Sequence, residues 1–381
     1  MRTEITEHAS EIASRAPQEL RALVAVSSPS GDTAGAEAAF DAARALLPAR
    51  AEIQRPQCSS PGHAPDLLAV VAGTGAGRLL LLGHVDTVVA HDRHRGLEAG
   101  GGRLTGSGVV DMKGGVVLAL GVMRALATRP ERFDRVALLL VCDEEWRTVP
   151  FVHAARFAGW DACLCFEAGQ RDAEGREAVV VRRKVAGTLH VRAHGVAAHS
   201  GSAPERGRNA LLALAEAARR VAATHDPGGP DHLTAVPTVL RSGDAFNVVP
   251  AGGELFCDLR ADRLATIEAA LSSVPGEHGG VRLESVLQRR WPGMDARTPT
   301  APLLAAAQEL LDGPLVAAAR GGASDASHLA SVIPVTVDGL GPRGGLAHNP
   351  GEYVDPDSLR PRAEVALAVA AAALRAGPER R

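Results

Sequence analysis

Along the chain, short apolar runs end on a histidine or a carboxylate, or lead through a glycine-rich loop to one. Residues 79–82, all leucine, run into Gly83-His84-Val85-Asp86. Residues 136–141 run into Cys142-Asp143-Glu144-Glu145, and 162–166 into Glu167. A fourth run, 332–337, leads to His348 by way of Gly344-Gly345. Runs this short and this apolar predict strands buried on both faces, as in a parallel sheet. Helical periodicity occupies 8–26 and 33–47, separated by Ser27-Ser28-Pro29-Ser30-Gly31-Asp32, a loop able to cap the second helix. A further strand is expected at 67–72, a glycine-rich loop at 100–108, and a helix over 114–127 with Asp111 just ahead of it. This alternation predicts an α/β fold built on a mostly parallel sheet with helices on both faces.

After about Val185 the period changes. Thr188-Leu189-His190-Val191-Arg192-Ala193-His194 alternates as a half-exposed strand does. A helix at 209–224, strands at 235–240 and 253–260, a helix at 263–271 and a strand at 281–287 follow. The order β-α-β-β-α-β is that of an α+β, ferredoxin-like split unit. It is read as an insertion spanning 186–293 in a discontinuous outer domain formed by 1–185 and 294–381. A length of 381 residues suits two such domains.

Composition narrows the function. With 46% hydrophobic and 22% charged residues the chain is ordinary for a globular protein, and a net charge of −3 gives no electrostatic support to nucleic-acid or anionic-membrane binding. No apolar run approaches the ~20 residues of a bilayer-spanning helix, and the first residues lack the apolar core of a signal peptide. The five cysteines show no CxxC spacing, so a disulfide framework is not expected and a reducing, cytoplasmic compartment fits. Only Lys113 and Lys184 are lysine.

In an open α/β sheet, groups at the carboxyl ends of strands share one rim. His84, Asp86, Asp111, Glu144, Glu145, Glu167 and His348 would meet there, and imidazole with carboxylate suits a catalytic zinc site. Singly, each has an ordinary reading. His84 and Asp86 form a polar pair at a strand end, Asp111 an N-cap, Glu144 and Glu145 a solvated acidic loop, His348 a surface histidine. Together they make adjacent carboxylates whose burial needs a cation. His8, His63, His91, His94, His225, His232 and His278 are read as surface residues, although His91 and His94 follow the first motif closely.

Gly83-His84-Val85-Asp86-Thr87-Val88, Gly108-Val109-Val110-Asp111-Met112-Lys113-Gly114-Gly115, Asp143-Glu144-Glu145, Phe166-Glu167 and His348 occur in that order. With these motifs the chain resembles the dizinc peptidases and acylases: glutamate carboxypeptidase, aminoacylase, acetylornithine deacetylase and succinyl-diaminopimelate desuccinylase. The likeness runs from about Leu20 to Ala373. It implies two divalent ions, zinc first with cobalt or manganese as alternatives. Asp111 would bridge them, with His84 and Glu167 on one side and Glu145 and His348 on the other. It implies Glu144 as general base and Asp86 as the group that orients His84. The inserted domain would serve as lid and dimerisation domain, with His199 reaching the site of a partner subunit in a homodimer. Asn247 and Arg260 would bind substrate, beside the Gly321-Gly322-Ala323-Ser324-Asp325 loop that lines the carboxylate pocket, and the Asp111–Met112 peptide would be cis. The expected substrate is a small peptidyl or N-acyl amino acid with a free carboxylate, glutamate carboxypeptidase-like in texture. A deacylase of acetylornithine or succinyl-diaminopimelate type is the alternative, and a non-catalytic binding protein on the same fold the third reading. One departure stands out. Trp146-Arg147-Thr148 follows the glutamate pair where relatives carry small residues, which predicts a shifted substrate range. Arg183 or Lys184 is a candidate contact for an acidic substrate side chain.

Overall fold

The computed structural model describes residues 1–376 and divides into two compact units. The first comprises Met1–Arg182, Met294–Arg320 and the chain from Ser324 onward; the second comprises Arg183–Gly293 and Gly321–Ala323. Arg183, Lys184, Val185 and Gly322 therefore all belong to the second unit.

A six-stranded sheet organises the first unit. Its order is Glu52–Gln54, Leu67–Ala72, Arg135–Val141, Arg78–His84, Ala162–Cys165, Thr336–Val337. The last four strands run parallel; the first two pair antiparallel and make one edge. Alternation sorts the side chains. Leu79, Leu81, Leu138 and Leu140 pack with the helices Arg2–Val24, Gly114–Ala127 and Leu359–Ala376. Leu80, Leu82, Leu139 and Val141 face the other way, onto Phe151, Phe157, Ala326 and Leu329. Helical segments thus cover both faces, but on the second face, among the described residues, they are the short turns Ala154–Phe157 and Ala326–Leu329.

Two expectations need correction. The first helix begins at Arg2, well before residue 8, because Ile5 and Ala9 continue the buried stripe of Ile12, Ala16 and Leu20. The fourth apolar run is a strand only at Thr336–Val337. Pro334 has no N–H to give a ladder, and Ile333 instead donates back to Leu329. By contrast, Asp32 caps the helix Thr33–Arg44 by accepting from Gly35 N, as its position suggests.

The second unit holds a five-stranded antiparallel sheet ordered Thr234–Ser242, Gly252–Ala261, Val185–His194, Val281–Trp291, Glu277–His278. Helices Ala210–Ala223 and Leu264–Leu271 contribute Leu214, Ala217, Val221, Ile267 and Ala270 to its separate core. Among the described residues no helix is long and apolar enough to cross a membrane.

Candidate metal centre

Three adjacent parallel strands end at one rim of the first unit. His84 closes Arg78–His84, Asp143-Glu144-Glu145 follows Arg135–Val141, and Glu167 lies two residues beyond Ala162–Cys165. Asp111 arrives from the segment ahead of helix Gly114–Ala127, and its peptide bond to Met112 is cis. His348 comes from a loop in which both it and Leu346 have left-handed backbone, at φ 63° and 59°. Such torsions are uncommon outside glycine.

These side chains form two groups that share Asp111: His84, Asp111 and Glu167 in one, Asp111, Glu145 and His348 in the other. Asp111 turns one oxygen to each histidine. His84 Nε2 lies 3.2 Å from Oδ1 and His348 Nε2 lies 3.2 Å from Oδ2. Glu167 Oε1 is 3.8 Å from His84 Nε2, and Glu145 Oε2 is 3.1 Å from His348 Nε2. On the far side of the first imidazole, Asp86 Oδ1 stands 3.3 Å from His84 Nδ1. The same Asp86 carboxylate accepts from Glu144 N at 3.3 Å and Glu145 N at 3.1 Å. One acid therefore sets the ring of His84 and the backbone of the glutamate pair together.

Crowding of acids shapes the electrostatics. Burial, reinforced by Asp111, raises the Glu167 carboxyl well above its usual value. Burial also lifts Glu145 to about 7, although His348 pulls it down. Burial would raise Asp111 too, but hydrogen bonds with His348 and His84 outweigh it and hold the group low. Asp111 and Glu145 lift His348 to about 10, and Asp111 and Asp86 raise His84 against the effect of its burial. Glu145 Oε1 is buried and has no hydrogen-bond partner among the described residues. Imidazole nitrogens and carboxylate oxygens converging on a shared acid, with one buried oxygen left over, are the donors a pair of divalent ions needs. The residues fit such a pair.

Supporting contacts came to light that the sequence had not assigned. Glu352 is buried and accepts from three backbone amides: Gly108 at 2.9 Å, Val110 at 2.8 Å and Asp111 at 3.0 Å. It holds the Asp111 segment in place, and its only sequence signal is its position four residues after His348. Lys113 is buried, donates to Val26 O at 2.7 Å, and is pushed down to about 8 by burial. Arg147 is wholly buried, hydrogen-bonded to Asp325, 3.7 Å from Asp143 and over the ring of Phe151. Its neighbour Trp146 is 58% exposed. The departure after the glutamate pair thus puts a cation inside and an indole outside.

The remaining candidates lie in the second unit. His199 pairs with Val248 in a two-stranded ribbon, and Ser200 N donates to Asn247 O at 3.0 Å, so His199 and Asn247 are brought close. His199 Nδ1 accepts from Gly201 N and Ser202 N, and the ring is exposed. Arg260 Nε lies 3.0 Å from the Asp258 carboxylate. Gly322 O accepts from Arg183 at 2.9 Å, and Lys184 donates to His232 O at 2.5 Å. Both basic candidates for an acidic side chain therefore already have backbone acceptors.

The sheet, its rim and the paired donor groups are those of a metallo-hydrolase of amide bonds. Residues 80–372 match the model of peptidase family M20/M25/M40, and the chain belongs to that family. It is 32% identical over 316 residues to succinyl-diaminopimelate desuccinylase of Methylobacterium nodulans, covering 76% of this chain and 79% of that protein. It is 26% identical over 362 residues to carboxypeptidase G2 of Pseudomonas sp. strain RS-16, covering 88% and 84%. In fold it resembles a tripeptidase of Staphylococcus aureus, with a TM-score of 0.76 and 20% identity over 95% of this chain and 99% of that one.

Proposed function

We propose that the chain cleaves the amide bond of a small peptidyl or N-acyl amino acid that carries a free carboxylate, in the manner of a glutamate carboxypeptidase. The observation that carries this reading is Asp111, with one oxygen toward His84 and the other toward His348. In it, His84, Asp111 and Glu167 hold one divalent ion and Asp111, Glu145 and His348 a second, zinc first, cobalt or manganese next. Bound there, the ions would supply positive charge that acidifies water and polarises the amide carbonyl. Asp86 keeps the His84 ring oriented and the glutamate backbone in register. Glu144, in this reading, takes the proton of the attacking water and delivers it to the departing amine nitrogen. His199, reaching over from the partner subunit of a homodimer, donates to the oxyanion that develops on the amide carbonyl, and Asn247, Arg260 and Gly322 bind substrate. A planar guanidinium suits a terminal carboxylate, and Asp258 is its present competitor.

A deacylase of succinyl-diaminopimelate type is the second reading, favoured by the identity to the desuccinylase. The same catalytic residues serve both. The ferredoxin-like unit acts as a lid and as the contact of a cytoplasmic homodimer. Exposed Val236 and Leu240 on an edge strand, with Val248 in the His199 ribbon and Phe246 in the turn ahead of it, support that surface.

The test is hydrolysis by zinc-loaded protein of N-acetyl, N-succinyl and N-acylglutamyl amino acids and of short peptides ending in Glu, Asp, Leu or Arg. Glu144→Ala should bind zinc as the wild type does yet lose about 10²- to 10⁴-fold in kcat. Full turnover by Glu144→Ala would remove that residue from the mechanism.

A further inference from the structure

Beside His348 the first unit carries a cleft of about 640 Å³, within the usual range of small-molecule sites. Val88, Val89 and Ala90, which follow the His84 motif directly, give it an apolar wall. Arg93 and Arg95 line it as well, and neither guanidinium has an ion pair or hydrogen-bond partner among the described residues.

The other titratable groups of the lining leave those two charges standing. Glu352 spends its carboxylate on three backbone amides. Burial, aided by Lys113, pushes His94 below its usual value, so this ring is neutral at pH 7. Asp92 is exposed and offsets at most one of the two arginines. The turn that bears them is anchored. Arg93 N donates to Ala90 O at 3.0 Å, Arg95 N to Ser107 Oγ at 2.9 Å, and Ser107 N returns to Arg95 O at 3.1 Å. An apolar wall leading to two unpaired guanidiniums suits a short methylene chain ending in a carboxylate.

We propose that this cleft receives the acyl side of the substrate, and that Arg93 and Arg95 bind a carboxylate at the far end of the acyl group. The preferred substrates are then half-amides of short dicarboxylic acids rather than simple fatty or acetyl amides. The proposal rests on the reading of the His348 centre as the place of amide cleavage.

The experiment compares zinc-loaded wild type with Arg93→Ala/Arg95→Ala on N-succinyl-leucine and N-butyryl-leucine, acyl groups of like length with and without the terminal charge. The succinyl-to-butyryl ratio of kcat/KM should exceed one in the wild type. It should fall about tenfold or more in the variant, through KM for the succinyl substrate. Arg93→Lys/Arg95→Lys should restore part of the ratio. An unchanged ratio, or a wild type that prefers butyryl, overturns the subsite. Calorimetric titration with succinamate gives a readout that needs no turnover. If neither amide is cleaved but succinamate binds the wild type and not the alanine variant, the hydrolase reading fails and the subsite stands. Equal succinamate binding by both proteins overturns the subsite whatever the turnover.

Discussion

The two donor groups that share Asp111 are built in opposite ways. His84 is the last residue of a central strand, 1% exposed, with Asp86 behind its ring. His348 has a side chain 53% exposed and stands on a loop with left-handed backbone. The first imidazole is positioned by the sheet itself, the second by a loop that Glu352 ties to the Asp111 segment through three amides. The lesson is that one half of the centre inherits its geometry from the core, while the other depends on a local hydrogen-bond device. Their sensitivities to mutation should differ accordingly.

The largest effect is expected where the halves join. In zinc-loaded protein, Asp111→Ala should lower metal content from the proposed two ions per chain toward none and reduce kcat by about 10³ or more, because both groups lose a donor at once. Metal analysis after dialysis reads it; a variant that retained one full equivalent would make the halves independent.

Next, His84→Ala and His348→Ala separate the halves. Removing His84 leaves Asp86 buried without its imidazole and should cost about 3 kcal/mol of stability in metal-stripped protein. Removing the half-exposed His348 should leave that stability within about 0.5 kcal/mol while weakening one zinc. Denaturant melts of the stripped proteins decide; equal losses would break the contrast.

Glu352→Gln is expected to have a smaller effect. The amide nitrogen cannot accept from a backbone N–H, so at least one of three bonds is lost, at about 1–2 kcal/mol. The weaker-binding zinc should be the one on the His348 side, read by competition with a chelator.

The smallest effect lies away from both groups, at Glu177. Burial alone would raise its carboxyl, but Arg362 and Arg343 outweigh this and hold it below the usual carboxylate range. A depressed folded value means that its contribution is present above the unfolded pKa, near 4.5, and is lost as pH falls through the folded one. Glu177→Gln should therefore lower Tm at pH 7, the gap to wild type should close as pH drops below about 4, and zinc content should not change. A gap that widened in acid would reverse the sign.

The strands that end in His84, Glu144-Glu145 and Glu167 were legible because unbroken apolar runs leave little alternative to a buried strand. The helix after Asp111 was equally plain, since in 114–127 only Arg124, in the last turn, interrupts the apolar content. The strand before His348 is shorter than its apolar run predicts, because the run counts Pro334 as apolar while the ladder needs its missing N–H. The partners of Glu352, Arg147 and Lys113 were not legible. Each acts through a partner far off in sequence — Glu352 on Gly108–Asp111, Arg147 on Asp325, Lys113 on Val26 — and no local pattern marks such a pair.

Local pattern decides which segments are strands and which residues stand at their ends, because side-chain alternation and apolar burial act over a few positions. From that alone follow the rim, its histidines and acids, and the kind of ion they suit. Which oxygen of Asp111 faces which imidazole, that Asp86 serves ring and backbone at once, and that Arg93 and Arg95 line one cleft with His348 and lack partners among the described residues follow only from the packed chain. The Asp111 contacts and those of Asp86 with the glutamate backbone join residues tens to hundreds of positions apart, and packing and hydrogen bonding across such distances exist only when the whole core has formed.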